Sequence, residues 1–154
     1  MIPASKPLLL DTNVVVALLR GKTLGQALMN VHQLGSRPDR PLLSVISVGE
    51  LMSLAEKWSW GAKKKETLDA QIRQLVLVDV NRSPVLNQYA AIDAFCERAG
   101  RSIGQNDMWI AATAAATGAV LLTCDTDFDH LAPNWIELLR LEPNTGAIAH
   151  ASLR

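Results

Sequence analysis

The sequence predicts an α/β fold, a short and mostly parallel sheet flanked by helices. Three observations predict it. Short continuous apolar runs such as "LLL" (Leu8 to Leu10) and "AVLLTC" (119–124) read as buried strands. Longer stretches between them carry apolar residues at helical spacing. The two kinds of segment alternate, which is the pattern of βα units.

The elements follow in order. Leu8 to Leu10 form the first strand, and Val14 to Leu19 a helix directly after Asp11, ended by Gly21. Leu24, Leu28, Val31 and Leu34 make the apolar face of a second helix, and "GSRPDRP" (35–41) is a loop by its Gly, Pro and Asp content. Leu42 and Leu43 begin a strand. Ser47 is expected to open a helix that runs to about Trp60, where Gly61 stops it. A helix over 63–75 leads into the strand "LVLVDV" (75–80). Ser83-Pro84, as N-cap and first helical residue, open a helix to Ala99, ended by Gly100. The alanine-rich helix from Gln105 to Thr117 is closed by Gly118. "AVLLTCD" is a strand ending in acid, Trp135 to Leu141 hold a last strand, and the tail from Pro143 (142–154) is expected to be loose.

The 154 residues suggest one domain, with its core over about 8–141. With 49% hydrophobic and 19% charged residues the chain can bury a sizeable core. Fifteen basic and fifteen acidic side chains cancel, so global charge points to no nucleic-acid partner and only clustering could. Cys96 and Cys124 match no zinc spacing and are expected to be reduced thiols. "MIPASKP" does not have the character of a signal peptide, and no apolar run approaches the roughly 18–20 residues of a membrane span. The expected setting is the cytoplasm, away from membranes.

Four acids stand out by position. Asp11 and Asp125 each follow a strand expected to be internal and parallel, so both lie at one sheet edge, where α/β proteins bind ligands. Asp107 starts the alanine-rich helix, and Glu50 is expected in the first turn of its own. Each of these two has a purely structural explanation. A first-turn carboxylate is stabilised by about 0.3–1 kcal/mol through the helix dipole, and "SVGE" (47–50) fits a capping box. As a set, four converging carboxylates must take up protons or bind a hard cation. Oxygen-only ligands favour Mg²⁺ or Mn²⁺ over zinc, and such a site suits phosphoryl transfer.

In this order the motifs resemble those of PIN-domain ribonucleases, most closely the VapC-type toxins of bacterial toxin–antitoxin pairs. "LLLDTNVVVALL" resembles the family's opening motif, and "SVISVGEL" its Ser-containing segment ending in Glu-Leu. "NDMWIAATAAATGAVLLTCDTDF" resembles its Asn-Asp helix and following strand. The likeness runs from about Leu8 to Leu141. It implies a three-layer PIN-like fold and metal-dependent endonucleolytic cleavage of RNA that leaves a 5′-phosphate and a 3′-hydroxyl. The four catalytic acids carry over to Asp11, Glu50, Asp107 and Asp125, with Asp11 and Asp107 as principal ligands of Mg²⁺ (or Mn²⁺). Thr12, Asn13 and Thr123 match supporting positions. "TCDTDF" is more compact than in many members, so Asp127 is the alternative fourth acid. The resemblance also implies a small antitoxin partner and a homodimer.

RNA needs cations near such a site. The best cluster is Lys57, Lys63, Lys64 and Lys65, with Arg37 and Arg40 a weaker patch; for the lysines a solvated helix start is the plainer explanation. Of Trp58 and Trp60, one should be buried and the other is a candidate partner contact, while Trp109 should be packing. His130 and Asp129 are expected at a surface turn. No Ser-His-Asp or Cys-His arrangement and no G-x-G-x-x-G or Walker loop is legible. Two rivals remain. One is a phosphatase of the haloacid dehalogenase type, disfavoured because "DTN" lacks the second Asp. The other is a PIN-fold scaffold that binds RNA or protein without catalysis.

Overall fold

The structure, a computed structural model, describes residues 2–154. Its strands are β1 (Leu8–Leu10), β2 (Leu42–Ser44), β3 (Val76–Val78), β4 (Val120–Thr123), β5 (Glu137–Leu141) and β6 (Ile148–Ser152). Its α-helices are α1 (Thr12–Arg20), α2 (Thr23–Asn30), α3 (Val45–Lys57), α4 (Ala62–Arg73), α5 (Ser83–Ala99) and α6 (Gln105–Thr117). Short 3₁₀ turns lie at Leu34–Ser36 and Thr126–Leu131. No helix among the described residues is long and apolar enough to cross a membrane.

One sheet holds all six strands in the order β3-β2-β1-β4-β5-β6. The first five are parallel, and β6 pairs antiparallel with β5. Leu8, Leu9 and Leu10 face Val120, Leu121 and Leu122 in register. Strand residues alternate between two cores, as the two-residue period requires. Leu8, Leu10, Val120, Leu122, Leu139 and Leu141 point toward α1 to α4, with Val14, Leu28, Leu51 and Leu68. Leu9, Leu121 and Leu138 point toward α5 and α6, with Ile92, Ile110, Ala111, Ala114 and Phe128. Burial on both faces explains why these strands are continuous apolar runs. Each fully buried Leu contributes about 1.5–3 kcal/mol of transfer free energy. The result is a three-layer arrangement, helices on both faces of the sheet.

The strand order has a consequence for function. From β1 the chain moves outward to β2 and β3, then returns to lay β4 and β5 on the other side of β1. The direction of winding therefore reverses between β1 and β4. In open α/β sheets the crevice beyond the carboxyl ends at such a reversal is where ligands bind.

Several expectations need correction. α3 begins three residues early: Ser44, not Ser47, is its N-cap, and the Ser44 side chain accepts from the Ile46 N–H. Glu50 therefore lies in the second turn and is no capping-box partner. Arg82, not Ser83, occupies the N-cap position of α5. α2 ends at Asn30, so Val31 is 64% exposed, while Leu34 reaches the core from the 3₁₀ turn. The tail expected to be loose forms β6. A turn at 142–147 reverses the chain, with the Glu142 carboxylate accepting from the Asn144 and Thr145 N–H groups. The Lys6 ammonium and the Arg154 N–H both bond the Glu137 carboxylate, which ties the ends of the described chain to β5.

Two glycines mark close approaches. A Cβ on Gly25 would lie 2.4 Å from the Ala17 carbonyl oxygen, so the glycine lets α2 sit directly on α1. Gly146 has φ +75°, and a Cβ there would lie 2.5 Å from the Ala27 Cβ. Its carbonyl also accepts from the buried His32 Nε2 at 2.7 Å, so the β5–β6 turn is clamped to α2. Gly146→Ala should destabilise the protein by about 1–3 kcal/mol, because it combines overpacking with a strained backbone. Urea unfolding checks this through a lower midpoint at unchanged slope.

Candidate active site

Asp11 follows β1 directly and is the N-cap of α1, so it belongs at once to a strand end and a helix start. Its N–H continues the parallel ladder to the Leu122 carbonyl at 2.9 Å. The side chain is buried and 4% exposed. Three donors meet it: the Thr12 N–H (2.7 Å) on Oδ1, and the Thr123 hydroxyl (2.6 Å) and Asn13 amide (3.2 Å) on Oδ2. Asn13 Oδ1 in turn accepts from the Cys124 N–H, and Thr123 Oγ1 accepts from the Asp125 N–H. These bonds staple the ends of β1 and β4 together around one carboxylate.

Thr12 links this group to α3. Its hydroxyl donates to Glu50 Oε1 at 2.7 Å and lies 3.0 Å from the Ser47 hydroxyl. One hydroxyl proton serves one acceptor here, so Ser47 is the donor in the second contact. The N-cap shift from Ser47 to Ser44 makes this possible, since it places Ser47 inside the helix and facing Thr12. Asp107 sits in the first turn of α6. Asp125 caps the 3₁₀ turn after β4 and accepts from the Asp127 N–H at 2.9 Å.

Asp11, Thr12, Asn13, Glu50, Asp107 and Asp125 all line one open cavity of about 740 Å³. Thr123 is fully buried beneath it. Asp127 is exposed, but Asp107, Asp125 and Asp127 each offer an oxygen within 4.8 Å of the others. Neither acid of the pair left open by the sequence is thus far from Asp107, although only Asp125 is part of the cavity wall.

The crowding has an electrostatic signature. Burial pushes the Asp11 carboxyl up to about 6, against the hydrogen bonds from Thr123 and Thr12, with the charges of Glu50 and Asp125 adding to the rise. Asp107 is pushed up to about 7, first by burial and then by Asp11, Asp125, Glu50 and Asp127. The dipole of α6 should favour the charged form of Asp107, so burial and like charge outweigh it. Burial, followed by Asp11, also raises the neighbouring Cys124 thiol to about 11, which keeps it protonated. A divalent cation fits such a site. The donors are all oxygen, they are mutually repelling, and the oxygens of Asp107, Asp125 and Asp127 approach the spacing around one hard ion.

The expected cations are placed differently. Lys57 lies in an adjoining pocket with Thr12, Glu50 and Asn106. Lys63, Lys64 and Lys65 are on α4 and line neither pocket; Lys64 rests over the Trp60 ring at 4.1 Å, and Lys65 pairs with Glu56. Arg37 bonds the Lys6 carbonyl, and Asp129 pairs with Arg140. His130 contacts Cys96 at 3.7 Å, and Trp109 stacks on Tyr89. Both cysteines are free. The basic residues that do line the acidic cavity are Arg20 and Lys22, with the half-exposed Trp58 beside them. Neither cation belongs to a basic cluster in the sequence. One signal was available: Arg20 ends the helix that Asp11 begins.

Fold and site define an α/β protein with an acid-lined cleft at the reversal point of its sheet. The chain belongs to the PIN domain family, whose model matches residues 8–133. It is similar to ribonuclease VapC5 of Mycobacterium tuberculosis, 29% identical over 77% of this chain and 83% of that protein. It is also similar to ribonuclease VapC2 of Haemophilus influenzae, 27% identical over 75% and 83%. Among solved structures, VapBC2 of Rickettsia felis, bound to a promoter DNA fragment, superposes with a TM-score of 0.75 at 26% identity, covering 86% of this chain and 97% of the other. VapBC-5 of M. tuberculosis, from a family of toxin–antitoxin systems, shares the fold with a TM-score of 0.65 at 24% identity, covering 90% and 100%.

The raised carboxyls set a pH dependence. Both folded values lie above the ordinary carboxylate range, so the folded state holds protons that the unfolded state has lost between about pH 4 and 7. Stability of the metal-free protein should therefore fall as pH rises through that window. Added Mn²⁺ should raise the Tm more at pH 8 than at pH 5.5, where protons compete for the same oxygens. Thermal melts with and without Mn²⁺ at the two pH values check this.

Proposed function

We propose that this chain is a Mg²⁺- or Mn²⁺-dependent endoribonuclease and the toxin of a toxin–antitoxin pair. The observation that carries the proposal is the single cavity that gathers Asp11, Glu50, Asp107 and Asp125 beyond β1 and β4. Similarity to proteins named as ribonucleases supports the reaction class, and similarity to VapBC assemblies supports the toxin role. A small antitoxin protein and a second copy of the chain are its proposed partners, and the cytoplasm its setting.

Asp107 and Asp125 would hold the ion with Asp127 beside them, and Asp11, from the wall of the same cavity, would complete its ligands. Bound there, Mg²⁺ or Mn²⁺ supplies Lewis-acid stabilisation of the phosphoryl group and lowers the pKa of a water. The chain's own residues do the rest. Thr123, Asn13 and the Thr12 N–H hold the Asp11 carboxylate in one orientation, so no reorganisation is needed during reaction. Thr12 fixes Glu50 by Oε1, and the other oxygen is available to accept a hydrogen bond from the attacking water and aim it at phosphorus. Attack forms the new P–O bond and breaks the bond to the 3′ oxygen, leaving a 5′-phosphate and a 3′-hydroxyl.

The test is incubation of the purified protein with total RNA in Mg²⁺, in EDTA, and as Asp11→Asn. Cleavage is expected with Mg²⁺ and should drop by about 10²-fold or more in either of the other arms. Cleavage that persists in EDTA contradicts the metal mechanism. No cleavage of any RNA, with no growth arrest on expression, favours a binding scaffold instead. A subtler variant is Thr123→Val, close in shape, which removes the shortest bond to Asp11. It should weaken Mn²⁺ binding about 10–100-fold, as measured by calorimetry.

A further inference from the structure

The acidic cavity has a second end of opposite chemistry. α1 runs from its N-cap Asp11 to Arg20, and α3 carries Glu50 in its second turn and Trp58 as its C-cap. The acids and the Arg20–Trp58 pair are thus separated by about 12–14 Å along two helices, at 1.5 Å per residue. At that far end the helices meet, with the Arg20 guanidinium 5.4 Å from the centre of the Trp58 ring. Arg20, Lys22 and Trp58 all line the same cavity as the four acids.

The Trp58 ring is held in place yet left open. It is 49% exposed, although Trp60, two residues on, is buried. The two rings lie 5.9 Å apart, and Ser59 between them takes a left-handed backbone, φ 51°. A non-glycine residue in that region is uncommon and marks a constrained turn. Among the described residues neither Arg20 nor Lys22 pairs with a carboxylate. A fixed aromatic ring with unpaired cations beside it is the combination that binds single-stranded nucleic acid: bases stack on the ring, and cations take the backbone.

We propose that Trp58, Arg20 and Lys22 form a subsite for a nucleotide flanking the scissile phosphate of a single-stranded RNA. An arriving base takes the guanidinium's place over the Trp58 ring, and Arg20 turns to the adjoining phosphate with Lys22. The distance from the acids means that the stacked nucleotide is a neighbour of the cleaved bond. Charge favours RNA over a protein segment here, since a polyanion must be drawn toward a cluster of carboxylates and these are the cations that share its cavity. The subsite rests on the ribonuclease reading for its role in cleavage, but not for binding itself.

Binding is measured by fluorescence anisotropy of a fluorescein-labelled oligo(rA) 12-mer, in the Asp107→Asn background so that the probe survives. Trp58→Ala should weaken binding about tenfold or more, and Trp58→Phe should restore most of it. Arg20→Ala should reduce the slope of log affinity against log salt by about 0.7, whereas Trp58→Ala should leave that slope unchanged. In the cleaving protein, Trp58→Ala should raise KM more than it lowers kcat. If the wild type cleaves RNA and neither variant alters KM or affinity, the subsite is refuted while the nuclease stands. If nothing cleaves but the anisotropy pattern holds, the subsite stands and the catalytic reading fails. If Trp58→Ala leaves RNA binding intact and instead abolishes binding of a co-expressed small partner protein, the face docks protein and the proposal is overturned. Trp58→Phe and Arg20→Ala keep the test valid should Trp58→Ala fail to fold.

Discussion

The buried carboxylate of Asp11 is the constraint around which the site is organised. It sits where β1 ends and α1 begins, and it is bonded to β4 through Thr123 and, by way of Asn13, through Cys124. An unpartnered carboxylate at this depth would cost several kcal/mol. Three hydrogen bonds reduce that cost without removing it, and the carboxyl still rests at about 6. The strained protonation is shared with Asp107, which faces the same cluster from α6. A protein that keeps this arrangement carries an electrostatic load that a divalent cation would relieve.

The rest of the fold delivers the other members of that cluster. Parallel pairing of β1 with β4 puts their carboxyl ends side by side, and the reversal of winding between them opens the crevice. The small residues of α6 let that helix lie against the sheet with Asp107 in its first turn at the same edge. α3 lies across α1, and the Thr12 hydroxyl couples the two at Glu50. The turn before β6, clamped to α2 through Gly146, supplies Pro143 and Asn144 to the cavity wall. Each is a consequence of burying apolar strands on both faces, so core packing and site geometry are the same problem.

Much of this was legible in the sequence, for identifiable reasons. β1 and β4 are fully buried, so they read as unbroken apolar runs, and an acid at the end of each was conspicuous. Helix ends at Gly21, Gly100 and Gly118 were marked by glycines that do take left-handed backbones. α3 starts earlier than expected because Ser44, the last residue of β2, caps it and leaves Ser47 inside the helix. β6 was missed because "IAHAS" has little apolar character of its own and is held by pairing with β5. The Arg20–Trp58 pair was invisible for a similar reason: 38 positions separate its members, and helix packing alone brings them together. The lysine run drew attention by local density, but α4 turns it away from the cleft.

The most direct measurement is the proton balance of Mn²⁺ binding, obtained by calorimetry in buffers of different ionisation enthalpy. With both carboxyls raised by burial and by the charge of neighbouring carboxylates, the metal-free site holds protons just below neutrality that it has lost in alkaline buffer. Proton release on Mn²⁺ binding at pH 6.5 that fades by pH 8.5, with binding itself weakened in Asp11→Asn, is the expected result. Binding without proton release at pH 6.5, or binding that Asp11→Asn leaves unchanged, would contradict an ion held by these carboxylates.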